Sequence, residues 1–480
     1  MKRFFLFIPS LLIIFPSLFL FFKNKESVNV SFFSVLAALF AIGIAAFLCL
    51  LVIKFFIKDI FKAVIIASVA ILAVFYYGYF FEIIKMARFR NFAIYNHREA
   101  ILIWVTIILI AGFLLWRNQK HAYFLCRTIG VFVTVVFVVF FVFLAKESSG
   151  KIFLKGSKIV SAWSAETPIP LDYVNSSLGY APDVYYIVPD GYANSFVLKE
   201  FFEYDNHEFL SYLEQKGFKI IQDSESNYPL TLYSLPTTLN MEYGDTLIRE
   251  FQLSSLENRR RLIEENMTAM IFKNFGYKFV AITSDKTTFS GNKADLKFGP
   301  SFLFRLIIRP TIFDPFSQRF RNRILKAFDS FNKASAINSP KFVLAHIISP
   351  HDPYVFGPNG EQIGIHYYGD NFENNRKLYL DQIKFVNKKL EESIDVILKN
   401  SERTPVIIIQ SDHGFLLPNS YDKEIVENTR FKNFSAFLLP KEAENLPASN
   451  INTFRFIFDN YFGTSFGQLE NKKFYKDLVE

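Results

Sequence analysis

The chain has 480 residues, a formal net charge of +8, and a composition that is 51% aliphatic, aromatic or cysteine. The excess of Lys and Arg is spread over loops and is nowhere interleaved with aromatics in a basic block, which argues against nucleic acid as a partner. A generally basic surface, or a preference for anionic lipid or a phosphorylated substrate, accounts for it. Only two cysteines occur, Cys49 and Cys126, both inside apolar runs. The more polar part of the chain can therefore contain no disulfide, no thiolate metal site and no cysteine nucleophile.

In chain order, residues 1–145 come first and are almost continuously apolar. Apolar stretches fall near 4–22, 30–53, 63–84, 100–116 and 124–145, and most reach the roughly 20 residues that cross a hydrocarbon core. This predicts a transmembrane domain of about five helices. Lys2 and Arg3 ahead of the first run fit a signal peptide, but Pro16 to Phe22 offers no small-residue cleavage site, so a retained helix is expected. Five spans would place the two ends of the protein on opposite sides of a membrane. The Lys and Arg of alternate loops are too evenly divided to set the orientation. Charged residues are nearly absent inside the runs, which speaks for an anchor and against ion transport.

Residues 146–181 are mixed, and Trp163 with its apolar neighbours fits either an interfacial segment or a plain linker. From Pro182 onward the pattern alternates. Strand-like runs occur near 183–189, 218–222, 277–283, 341–348, 405–410 and 433–439, with helical stretches at about 205–216, 258–275 and 373–399. The last carries one apolar face through Leu378, Ile383, Val386, Leu390, Ile394 and Ile397. Alternation of this kind predicts, over 182–480, an α/β domain with a mostly parallel central sheet and helices on both faces.

Four polar clusters stand just after strand-like runs or a short loop beyond them: Asp190, Thr231, His346 with His351, and Asp412-His413. Ligands of open α/β sheets gather at the carboxyl ends of strands. Asp412-His413-Gly414 follows the run Val406–Gln410 and Ser411; an Asp and a His at a sharp turn can reach one cation or simply close a loop. Asp190-Gly191 reads as a second ligand or as a turn aspartate. Thr231 lies ahead of Ser234-Leu235-Pro236, which reads as a helix start. It is either an ordinary capping residue or a hydroxyl placed among amides that favour phosphate, nucleophilic once its proton is removed. His346 inside its strand is a satisfied core residue or a site residue; His351, in a turn, is exposed. Together these residues make a hard-metal site beside a hydroxyl, the equipment of metal-assisted phosphoryl transfer.

The soluble part resembles the alkaline-phosphatase superfamily, in particular its membrane-anchored branch of phosphoethanolamine transferases and lipoteichoic-acid synthases. Thr231-Leu232-Tyr233-Ser234-Leu235-Pro236 is similar to the nucleophile segment of the transferases, and Asp412-His413 to the paired ligands of a Ser-Asp-His-Gly motif. The resemblance implies an alkaline-phosphatase-like fold over about 183–440, an extracytoplasmic catalytic domain on a multi-pass inner-membrane anchor, and Thr231 as nucleophile. It implies Asp190, Asp412, His413 and Thr231 as ligands of a divalent ion, zinc or manganese. His346 and His351 would face the transferred phosphate, and Asn266 would contact it. The soluble part departs from the branch in having no cysteine and so no disulfide, and no histidine follows His413; the missing histidine favours a single cation. No Cys/Ser-x-Pro-x-Arg segment surrounds Thr231, which disfavours sulfate-ester hydrolysis. The implied reaction moves a phospholipid head-group unit through a Thr-linked intermediate to an envelope glycan or lipid. A phosphodiesterase or phosphatase, or a silent membrane protein using the fold for binding, stays open beside it.

Overall fold

A computed structural model describes residues 4–23, 32–86, 97–117, scattered positions between 123 and 138, and 181–474 apart from 245, 248–255, 286–287, 292, 300–318, 339, 370 and 418–421. The chain divides into two compact units, one built on the N-terminal helices and one holding the α/β fold. Of the expected span 124–145 only scattered positions are described, and residues 146–180 of the expected linker lie outside the described residues.

The N-terminal unit contains helices α1 (Ile8–Lys23), α2 (Phe32–Ile57), α3 (Ile60–Phe75), α4 (Tyr77–Met86) and α5 (His97–Arg117). Among the described residues, α2 is the helix long and apolar enough to cross a membrane, over the 23 residues Val35–Ile57. The expected span 63–84 is divided at Tyr76 into α3 and α4. Gly43 lets α2 approach α1 closely: a side chain there would meet Ile14 Cδ1 at 3.1 Å, and Ser10 Oγ donates to the Gly43 carbonyl at 2.9 Å. Small residues and hydroxyl bonds of this kind are what bring helices together in lipid.

The second unit is a seven-stranded sheet in the order β2-β9-β8-β1-β5-β3-β4. Its strands are β1 (Val184–Pro189), β2 (Lys219–Ile220), β3 (Lys278–Thr283), β4 (Leu296–Phe298), β5 (Lys341–Ile347), β8 (Val406–Gln410) and β9 (Ser435–Leu438). A separate hairpin pairs β6 (Tyr354–Phe356) with β7 (Gln362–His366). The five strands from β8 to β4 run parallel; β9 is antiparallel to β8, and β2 to β9. All six strands expected from the sequence are present. β4 and the hairpin were not expected, being too short or too polar to stand out.

Alternate residues of each strand serve opposite faces, the period-two rule for strands. Tyr185, Ile187, Val343, Ala345, Ile407 and Ile409 pack beneath α6 (Ser195–Phe202), α7 (His207–Gln215), α11 (Arg319–Ser335) and α12 (Phe372–Asn400). Val184, Tyr186, Val188, Phe342, Leu344, Val406 and Ile408 pack beneath α8 (Thr231–Asn240), α9 (Leu256–Glu264), α10 (Met267–Asn274) and α14 (Thr453–Tyr461). Helix α13 (Lys423–Phe431) connects β8 to β9. Each large apolar side chain so buried contributes about 1.5–3 kcal/mol, so two such layers can offset a polar edge whose groups are not all paired. The expected helix 258–275 is two helices, because Asn266 caps α10: its Oδ1 accepts from Ala269 N at 2.7 Å.

Candidate active site

The period-two rule also decides where the polar residues go. Val188, Leu344 and Ile408 face the α8 side; two residues further on, the same parity delivers Asp190, His346 and Gln410 to that side, with Asp412 beyond. The register sets Val188 beside His346 and His346 beside Thr283. The main chain locks the ends together, Asp190 N donating to Ile347 O at 3.0 Å and His351 N to Asp190 O at 2.9 Å.

Helix α8 begins at Thr231, three residues ahead of the expected start at Ser234, because the Leu230 carbonyl already accepts from Tyr233 N and Ser234 N, both at 2.9 Å. Pro236 consequently sits inside the helix. Thr231 is the first helical residue, where first-turn amides lack intrahelical acceptors. Ser234 Oγ donates to the Asp412 carbonyl at 2.6 Å, which pins this helix start to the Asp412-His413 loop. Gly414 is required there: a side chain would run into the carbonyl oxygens of Thr429 and Lys432.

His413 Nε2 is the hub. It lies 3.3 Å from Thr231 Oγ1, 3.4 Å from Asp412 Oδ2 and 3.6 Å from Asp190 Oδ1. His413 Nδ1 stands 2.9 Å from the Gly414 carbonyl; a hydrogen placed there leaves the lone pair on Nε2. Asp412 Oδ1 accepts from Gly191 N at 3.1 Å, and Gly191 takes a φ of +70° at this turn. Asp190 Oδ1 and Asp412 Oδ2 are buried with no hydrogen-bond partner, as are both ring nitrogens of His346. His346 Nε2 is 3.2 Å from Asp190 Oδ2, an ion contact without hydrogen-bond alignment.

Buried polar atoms are almost always satisfied, so a cluster of unsatisfied carboxylate oxygens and imidazole nitrogens fits a cation. From His413 Nε2 the three oxygens lie at 3.3–3.6 Å, the edge length of a tetrahedron whose metal–ligand bonds are about 2.0–2.2 Å. Two overlapping groups of possible ligands, Asp190-His351-His413 and Asp190-His346-Asp412, share Asp190. Thus His346 and His351, expected to face phosphate, also come within ligand reach of Asp190. Burial would favour the neutral acid at Asp190, but His351, His346 and His413 outweigh it and hold the carboxyl well below the usual range. Burial, then the Arg430 guanidinium, push His413 down to about 4, keeping its imidazole neutral and able to ligate at neutral pH. Burial opposes charge on His346 too, yet Asp190, then Asp412 and Asp285, hold its pKa above the usual value.

Asn266 does not join the cluster; besides capping α10, its Nδ2 donates to Ile263 O at 2.8 Å, so both ends of its amide are occupied. Several supporting residues were not foreseen. Asn450 Nδ2 donates to Ser411 O at 2.9 Å, Asn433 Nδ2 bonds the same carbonyl, and Tyr379 Oη donates to Gly191 O at 2.9 Å. Ahead of Thr231, Asn227 Nδ2 donates to Lys472 O at 2.9 Å, and the Tyr228 ring stacks on Phe474 with centroids 5.1 Å apart.

No family model matches this chain, and no curated protein does. Solved structures similar to it include phosphoethanolamine transferase domains and sulfatases. The C-terminal periplasmic domain of EptC from Escherichia coli, in complex with Zn, has 12% identity and a TM-score of 0.42, covering 60% of this chain and 84% of that one. The corresponding domain of the phosphoethanolamine transferase EptC from Campylobacter jejuni has 12% identity and a TM-score of 0.37, covering 60% and 92%. A protein in the alkaline phosphatase superfamily from Vibrio parahaemolyticus has 15% identity and a TM-score of 0.38, covering 60% and 73%. Likeness this distant carries no argument about activity; the side chains must do so.

Proposed function

We propose that the protein is a membrane-bound, metal-dependent phosphotransferase that moves a phospholipid head-group unit to an envelope glycan or lipid through Thr231. The observation that carries this reading is the convergence on His413 Nε2 of Thr231 Oγ1, Asp190 Oδ1 and Asp412 Oδ2, at 3.3, 3.6 and 3.4 Å, with the two carboxylate oxygens buried and unpaired. Asp190, Asp412, His413 and Thr231 would hold one divalent ion, zinc or manganese. Such an ion, when bound, supplies positive charge that lowers the pKa of the threonine hydroxyl and offsets charge on the phosphoryl oxygens.

In the first half-reaction the Thr231 hydroxyl, having released its proton to solvent, forms its bond to phosphorus as the bond from phosphorus to the departing glycerol oxygen breaks. His346 or His351 orients the phosphoryl group and gives the leaving oxygen its proton. In the second, a hydroxyl of the acceptor attacks phosphorus and loses its proton to the same imidazole, while the bond from phosphorus to Thr231 Oγ1 breaks and threonine leaves as the alkoxide, which takes its proton back from solvent. The amides of Thr231 and Leu232, which precede those bonded to the Leu230 carbonyl, would face the oxygens that carry the charge in both steps.

An anchor among lipids is supported by the outward side of α2, where Phe33, Phe40 and Phe55 are 80%, 70% and 77% exposed, an apolar surface unsuited to water. On this reading α2 and its neighbouring helices form a multi-pass anchor in the inner membrane, with the catalytic unit extracytoplasmic. The mass of the Thr231 peptide from protein purified out of its native membrane tests the proposal. An added phosphorylated head group on Thr231 is expected. A bare phosphate would make the enzyme a hydrolase. An unmodified threonine, together with full activity of Thr231→Ala, would remove the mechanism.

A further inference from the structure

The guanidinium of Arg430 stands at the site, in contact with His413, and as a cation is not itself a metal ligand. Arg430 lies near the end of α13, where one more basic residue on a charged helix gives no signal in sequence. Its Nε donates to the Pro229 carbonyl at 2.8 Å, two residues ahead of Thr231. Its Nη1 donates to the Gly414 carbonyl at 2.9 Å, the same oxygen that lies 2.9 Å from His413 Nδ1. Nη2 is thereby aimed at the cluster, 3.3 Å from His413 Nε2, and Thr231 Oγ1 lies 3.3 Å from that nitrogen. A guanidinium is planar, so anchoring two of its nitrogens on backbone carbonyls fixes the direction of the third. Its charge is permanent across the working pH range.

We infer that Arg430 is a substrate-binding residue whose Nη2 takes a non-bridging oxygen of the phosphoryl group presented to Thr231. The inference rests on the reading of Thr231 as the attacked-phosphate site and adds the cation that holds the anion there. Two carboxylates already offset a divalent ion, so an incoming phosphodiester needs a further positive group. Arg430 supplies it from the side of the nucleophile loop. Its two anchors tie the Pro229 and Gly414 carbonyls together, which keeps that cation in register with both loops.

Titration of inorganic phosphate into the full-length, detergent-solubilised, metal-loaded protein reads this role without turnover. Arg430→Gln is expected to weaken phosphate binding by about 10- to 100-fold, the range for loss of a charge-assisted hydrogen bond. Metal content should be unchanged, and the protein should stay folded with a thermal midpoint lowered by the loss of the two carbonyl anchors. Arg430→Lys, which keeps charge but cannot span both carbonyls, should fall between. Binding in Arg430→Gln within twofold of the unaltered protein overturns the inference, and so does a failure of the unaltered protein to bind phosphate. Loss of metal or of the folded state in Arg430→Gln, with Arg430→Lys binding normally, makes Arg430 a positioning residue for the two loops and equally overturns it. Turnover of bis(p-nitrophenyl) phosphate by Thr231→Ala separates the two levels. Full activity there removes the nucleophile reading and leaves the phosphate result to stand or fall alone.

Discussion

The two edges of the parallel sheet both bury carboxylates and treat them in opposite ways. At the amino edge, Asp183 is closed off: one oxygen accepts from Lys341 N at 3.1 Å, the other meets Lys341 Nζ at 2.5 Å, and Nζ also reaches Ile337 O at 2.8 Å. At the carboxyl edge, Asp190 and Asp412 each keep a buried oxygen with no partner. A buried charge is tolerated when paired and costly when not. The amino edge therefore reads as structure and the carboxyl edge as a site that its own residues do not complete. The contrast assigns function by what is missing from the local hydrogen bonding.

The largest expected effect is at the open edge. Thr231→Ala should reduce turnover about a thousandfold or more while metal content by elemental analysis falls only modestly. Retention of activity would cancel the nucleophile assignment. Asp412→Ala should leave the purified protein without bound metal, and a fully loaded variant would refute its role as a ligand. At the closed edge the effect moves to stability. Asp183→Ala should cost about 3–5 kcal/mol in denaturant unfolding, as when one partner of a buried pair is removed, with metal affinity unaltered. A smaller difference sharpens the contrast further. In chelator-treated protein, Asp412→Asn should be neutral or raise the thermal midpoint, since it removes an uncompensated buried charge and keeps the oxygen that accepts from Gly191. Asp183→Asn should lower the midpoint. Midpoints that fall alike would erase the distinction between the edges. Smallest, adding metal at about a hundred times its Kd should stabilise the unaltered protein by about 2.7 kcal/mol, and Asp412→Asn by much less.

How far this was legible in the sequence follows the same division. The central strands show as apolar runs because β1, β5, β8 and β9 are buried on both faces, and the polar residues that break or end those runs, Asp190, His346 and Asp412-His413, mark the open edge directly. His346 could not be told from a core histidine until its register beside Val188 placed it next to Asp190. Asn266 was expected to contact phosphate by resemblance alone, within one helix over 258–275; the break between α9 and α10 makes it a helix cap instead. Arg430, Asn433 and Asn450 were invisible. Their roles depend on bringing β8, α8, α13 and the chain before α14 together, and no local pattern encodes that. The break at Tyr76 inside an unbroken apolar stretch was hidden for a related reason, since composition reports the apolar length and not its continuity.

Because one face of each strand is chosen by residue parity, the length of β1, β5 and β8 is itself under constraint. Deleting a single residue between Phe342 and His346 would swap His346 with a neighbour of Ala345's kind and bury the imidazole under α12, although no residue at the site had been exchanged. Removing two would restore the face but draw the ring back by about 6.6 Å along the strand. Variation at this edge is thus confined to substitutions. Insertions and deletions belong to the loops beyond the strands, where the distance from strand end to site can be taken up by turns.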